Sequence, residues 1–122
     1  MEDFRKVNEN TEDDAHPLPR IKEMVQRQSK FQMWSSLDCK DGYHQMPLKE
    51  EHRHITCMST PKGTYQWRVQ VMGLKNAGAQ FQRMIEWVLR DHDHADPYID
   101  DIIIGSSGAT ESEVLANHSR DL

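Results

Sequence analysis

The stretch that decides the fold is Tyr98-Ile99-Asp100-Asp101-Ile102-Ile103-Ile104-Gly105-Ser106. Three consecutive isoleucines have the length and β-branched make-up of a buried strand. Two adjacent carboxylates stand directly before them, behind an aromatic residue. Aspartate is depleted in strands, and charge buried at a strand end is costly unless something positive joins it. A divalent cation is the simplest such partner. An ordinary solvated turn is the competing reading, and the spacing alone leaves both open. Either way the stretch predicts strand, tight turn, strand, with Asp100 and Asp101 at the tip.

Upstream of it, Phe81, Met84, Ile85 and Val88 recur at helical spacing and predict a helix over residues 77–90, with Gln82, Arg83 and Glu86 facing outward. Gly73 breaks the preceding strand, and Asn76 stands where an N-cap belongs. Pro97 cannot donate to a ladder, so the strand leading to Tyr98 is short or lies at an edge. Residues 55–58 and 64–69 form a hairpin around the turn formers of 59–63. In it Tyr65, Trp67, Val69 and Val71 alternate with Gln66, Arg68 and Gln70, one face buried and one wet. Residues 31–37 read as a strand running into Asp38. Pro19 sits in the first turn of a helix that ends near Gln28 and packs Ile21, Met24 and Val25 on the core. Residues 1–16 read as an irregular lead-in, and residues 111–122 begin another helix.

With 122 residues, 36% of them apolar, the chain makes one small domain or a piece of a larger one. It has no apolar run long enough to cross a bilayer and no leader pattern, and its two cysteines are too few for a disulfide framework, so an intracellular, reduced protein with no membrane partner is expected. The formal charge of −5 is unevenly spread. Residues 15–90 carry 12 Lys and Arg against 6 Asp and Glu, while the two ends together carry 3 against 14. A basic middle suits phosphate contact through Lys62, Lys75, Arg68 or Arg83, and it suits a solvated surface equally. The His-Asp runs at 91–94 and 52–54 read as solvated loops.

Asp38 ends one strand, and Asp100 and Asp101 lie at a strand turn. A sheet placing these strands side by side gathers three hard oxygen donors, the set that suits Mg²⁺ held by one or two carboxylates together with substrate phosphates.

The same residues carry a resemblance. Tyr98-Ile99-Asp100-Asp101 resembles the Tyr-x-Asp-Asp box of reverse transcriptases. The run from Leu37 to Gln45 resembles the Leu-Asp-x-x-x-Gly-Tyr-His-Gln segment of gypsy-type retrotransposon polymerases. The run from Gly73 to Gln82 is similar to their Gly-Leu-x-Asn-Ala-x-x-x-Phe-Gln segment. Arg5-Lys6-Val7-Asn8 and His16-Pro17-Leu18-Pro19-Arg20-Ile21 match two further boxes, in the right order.

The resemblance implies an α+β fold, a partial fingers and palm truncated at both ends of 1–122, with an antiparallel sheet and helices packed on one face. It implies an RNA-directed DNA polymerase segment of a pol polyprotein. Such a segment moves deoxynucleotides from dNTP to a primer 3′-hydroxyl on an RNA or DNA template. Asp38 and Asp100 would be the main ligands of two Mg²⁺ ions (or Mn²⁺ in their place), with Asp101 the third catalytic acid and the Cys39 carbonyl assisting. Tyr43 would lie under the incoming sugar, and Met72 and Gly73 would form the other wall of that pocket; family members usually carry Phe where Met72 stands. The alternative is an inactive retroelement remnant, retained as a nucleic-acid-binding or interaction module.

Overall fold

The computed structural model describes residues 2–122. In chain order its elements are α1 (Arg5–Glu9), α2 (Ile21–Gln28), β1 (Met33–Asp38), β2 (Met58–Thr60), β3 (Gly63–Tyr65), α3 (Ala77–Val88), β4 (Ala95–Tyr98), β5 (Asp101–Ser106) and α4 (Glu111–Asp121). Two 3₁₀ turns, Gly42–Gln45 and Glu50–Thr56, lie between β1 and β2. The fold is α+β, and its frame is a three-stranded antiparallel sheet in the order β1-β5-β4.

The isoleucine run is the centre strand, paired on both edges, which is the position its β-branched side chains favour. Pro97 falls on β4, an edge, where its missing N–H costs no ladder bond. Ile102 and Ile104 point to one face and meet Phe81 and Ile85 of α3, with Tyr43, Met46 and Ile99 packed around them. That apolar cluster fixes α3 directly behind the β4–β5 turn. α4 covers the same face farther along the sheet, so α3 and α4 share one side as expected. The end of α2 covers the opposite side, through Gln28 and Arg27, so the helices do not all share the one face expected. There a Cβ at Gly105 would run into the Phe31 ring and the Gln28 amide. Asp96, buried on β4, is satisfied from α2: Arg27 donates to its Oδ1 at 2.9 and 2.7 Å, and Gln28 to its Oδ2 at 2.7 Å.

Several local expectations fail, for tertiary reasons. The lead-in is ordered: it holds α1 and a buried Phe4. Asn8 donates to the Gly73 carbonyl at 2.8 Å and accepts from the Lys75 N–H at 2.9 Å, partners too distant in sequence to leave a periodic signal. The hairpin is also short, with β3 ending at Tyr65 and Tyr65 itself exposed. Beyond it the chain leaves β2 and runs beside the 46–48 segment, Val69 pairing with Pro47; the expected alternation survives at Trp67, Arg68 and Val69 but fails at exposed Tyr65 and buried Gln70. Gln70 is buried there, its N–H bonded to Met46 and its amide donating to Gln80 at 2.6 Å.

In α2, Met24 is buried, but Ile21 and Val25 are each 62% exposed, so most of that apolar face lies open. Its N-cap is Arg20, which leaves Pro19 just outside the helix. Asn76 does precede α3 but caps nothing with its side chain, which instead donates to Glu12 O and accepts from Asp14 N–H.

Candidate active site

Residue pairing places Asp38 of β1 opposite Asp101 of β5, and Tyr98 of β4 opposite the same Asp101. Residues directly opposed in an antiparallel ladder project from the same face. Ile99 and Asp100 are the two residues of the turn between β4 and β5. Ile99 has φ 55°, in the left-handed region that a β-branched residue avoids and that glycine usually fills in such a turn. The turn is therefore strained next to its acidic pair. The Cys39 N–H donates to the Asp100 carbonyl at 2.6 Å, tying the end of β1 to the turn.

The chain then reverses through Asp41, at φ 53°, into the 3₁₀ turn that carries Tyr43. Gly42 allows the close approach. A Cβ there would lie 3.0 Å from Phe81 Cζ and 3.4 Å from the Asp100 Cβ. Tyr43 packs edge-on against Phe81, ring centroids 5.8 Å apart.

A cleft of about 260 Å³ opens in front, lined by Asp38, Cys39, Gly42, Tyr43, Met72 and Asp100 among others. Four of the residues singled out in the sequence thus meet at one opening: Asp38, Asp100, Tyr43 and Met72. Gly73, at φ 93°, follows Met72 and packs near Phe4 instead of lining the cleft. Asp101 also lies outside the lining. Burial pushes the Cys39 thiol above its usual range, and the charges of Asp100, Asp38 and Asp101 push it further. Burial raises the Tyr43 phenol too, with help from Asp100.

Whether these donors fit a divalent ion can be judged from their chemistry. Among the described residues no three His, Cys, Asp or Glu side chains stand ready-clustered for an ion. Mg²⁺ does not need such a cage, since it keeps waters and takes one or two carboxylates plus phosphate oxygens. Asp38 and Asp100 on one cleft meet that requirement. The His-Asp runs do not gather either: the His92 and His94 rings stack edge-on with each other, and His52 lies near Glu51 on the surface.

Two of the four cations named from the sequence are already engaged. Lys75 pairs with Asp13 at 3.0 Å and Arg83 with Asp14, so the acidic N-terminal strap neutralises part of the basic middle. Lys62 and Arg68 make no ion pair among the described residues.

Gln82 was expected to face outward and is instead completely buried. Its position one residue after Phe81 and three before Ile85 puts it on the border of the apolar stripe, the one signal that could have flagged it. Its amide reaches the acidic turn: it donates to the Pro97 carbonyl at 3.0 Å and accepts from the Ile99 N–H at 2.6 Å.

Over residues 1–122 the chain matches the family described as reverse transcriptase (RNA-dependent DNA polymerase). The chain belongs to that family. Among its reverse-transcriptase relatives it is 39% identical over 111 residues to the retrovirus-related Pol polyprotein from transposon 297 of Drosophila melanogaster, covering 89% of this chain and 10% of the relative. It is 36% identical over 105 residues to the enzymatic polyprotein of Figwort mosaic virus (strain DxS), covering 85% of this chain and 16% of the relative. The chain therefore spans only a small part of these polyproteins. Its fold is similar to that of the foamy viral protease-reverse transcriptase in complex with RNA/DNA hybrid, with a TM-score of 0.76 at 16% identity over 98% of this chain and 16% of that one. No helix among the described residues is long and apolar enough to cross a membrane.

Proposed function

We propose that this chain supplies the carboxylate centre and part of the nucleotide pocket of an RNA-directed DNA polymerase. It would work as a fingers and palm segment within a longer pol polyprotein. The observation that carries the reading is the register itself, which opposes Asp38 to Asp101 and ties Asp100 beside them on a turn facing Tyr43. The family match and the polyprotein relatives support it.

Asp38 and Asp100 would hold the ions, with the Cys39 carbonyl within the same loop, and Asp101 would add negative charge at the primer terminus. Two Mg²⁺ or Mn²⁺ ions would activate the attacking hydroxyl and stabilise the leaving pyrophosphate. The protein's own share is positioning. Tyr43, held by Phe81 and Gly42, presents a flat ring that would sit under the sugar and leave no room for a 2′-hydroxyl. Met72 would close the opposite side, with Gly73 behind it against Phe4. The template-primer would be an RNA/DNA or DNA duplex. One structural neighbour is in complex with RNA/DNA hybrid.

Primer extension on an RNA template in Mg²⁺ tests this reading, with Asp38→Asn and Asp100→Asn as comparisons. Each substitution is expected to reduce extension by about a hundredfold or more, the scale of losing a group that stabilises transition-state charge. Extension that survives Asp100→Asn sinks the metal assignment. Metal binding at these residues without extension, in a polyprotein that supplies the remaining parts of the polymerase, would favour the non-catalytic alternative, a nucleic-acid-binding or interaction module.

A further inference from the structure

Gln82 has no solvent exposure, and every polar atom of its amide is used. Its Nε2 donates to the Pro97 carbonyl at 3.0 Å and to Glu86 Oε1 at 2.9 Å, while its Oε1 accepts from the Ile99 N–H at 2.6 Å. The orientation of the amide is not ambiguous. A carbonyl and a carboxylate can only accept and a backbone N–H can only donate, so the NH₂ end must face Pro97 and Glu86. Glu86 is held in turn by His16, 2.9 Å from its other oxygen.

Two of the three bonds go to the backbone on either side of Tyr98, and one of them fixes Ile99. Ile99 is the residue held at φ 55°, a conformation a β-branched side chain leaves unless its surroundings hold it there. Asp100 follows it directly and is pinned on its far side by the Cys39 N–H. A glutamine that merely filled core space would not need to bond across to the turn from a helix. We propose that Gln82 is the positioning residue of the acidic turn: it holds Ile99 in the left-handed region and so aims the Asp100 carboxylate at the cleft shared with Asp38. This rests on the reading of Asp38 and Asp100 as metal ligands. Gln82 itself would touch neither ion nor substrate.

Two readouts on the chain test the idea, amide hydrogen exchange and Mn²⁺ paramagnetic broadening, with Mn²⁺ alone as the probe. In the unaltered chain the Ile99 amide is expected to be strongly protected, although it lies at a hairpin tip. Exchange at an open-turn rate would overturn the clamp without recourse to any variant. Gln82→Met keeps the length of the side chain and removes its bonds. With Ile102 and Ile104 still protected, Ile99 is expected to exchange about tenfold faster or more. The Mn²⁺ concentration that half-broadens Asp38 and Asp100 should rise about tenfold, the lower end for residues that orient metal ligands. An unchanged Mn²⁺ midpoint with Ile99 deprotected makes Gln82 a core residue only and overturns the proposal. If the unaltered chain gives no broadening at Asp38 or Asp100, the metal reading fails instead, and Gln82's role there fails with it.

Discussion

Gly42 and Asp100 illustrate how little freedom the site has at the scale of single residues. Phe81 is almost wholly buried, so it cannot swing away from a methyl group placed on Gly42, and the other near atom is the Asp100 Cβ. Gly42→Ala is therefore expected to destabilise the fold by about 1–3 kcal/mol, the usual cost of overfilling a packed core. The loss should appear as a lower urea midpoint in equilibrium unfolding. A neutral Gly42→Ala would mean that Gly42 and Phe81 are loosely packed in solution.

Among the elements, α4 is attached to the sheet by polar contacts more than by apolar ones. His118, buried, lies between the Ser35 hydroxyl at 2.7 Å and the Ser106 hydroxyl at 3.1 Å. Ser106 spends its proton on Asp121 at 2.7 Å. His118 Nδ1 must then donate to Ser106, while Nε2 bonds the Ser35 hydroxyl. This links α4 to both β1 and β5. The Ser106 hydroxyl, above all, holds the Asp121 carboxyl below the ordinary carboxylate range. A lowered folded value means stability that is present above the unfolded carboxylate pKa and lost as pH falls through the folded one. Urea unfolding should therefore show stability falling as the pH drops below about 4. Asp121→Asn is expected to cost about 1 kcal/mol at neutral pH and to flatten that acid limb. An acid limb unaltered by Asp121→Asn would show that the α4 contact does not carry it.

For the molecule as a whole, the uneven charge turns out to be partly internal. The acidic strap at the N-terminus lies along the start of α3, where Asp13 meets Lys75 and Asp14 meets Arg83. Part of the basic middle is thus shielded by the same chain. Replacing Asp13 and Asp14 together by asparagine is expected to free both cations. Binding to single-stranded RNA should tighten, and its salt dependence should steepen by one or two released counterions. The measurement is a salt series of binding titrations, and an unchanged slope would mean these cations do not face nucleic acid. Asp13 and Arg83 are exposed, but Lys75 and the Asp14 carboxylate are partly covered, so a small loss of stability should accompany the change.

The sequence by itself determined the centre of the structure. A β-branched run fixes a buried strand, the acidic stretch before it fixes a turn (its tip is Ile99–Asp100, with Asp101 already on β5), and Phe81, Ile85 and their neighbours fix the helix that packs behind it. It also placed Asp38 and Tyr43 within colinear boxes, enough to expect a family and a set of ligands. These features were legible because each is written in neighbouring residues, as periodicity or as a short motif. Only the tertiary structure decided what depends on distant partners. It ended the expected hairpin at Tyr65, because the following residues run beside Pro47. It left Ile21 and Val25 exposed, and it ordered the N-terminal segment through Asn8. Above all it turned Gln82 inward. Its polarity predicts water, but Pro97, Ile99 and Glu86 together take three of the four hydrogen bonds its amide can make. The acidic turn was readable from Tyr98–Asp101, whereas the amide that holds it in place became visible only once α3 had packed against β4.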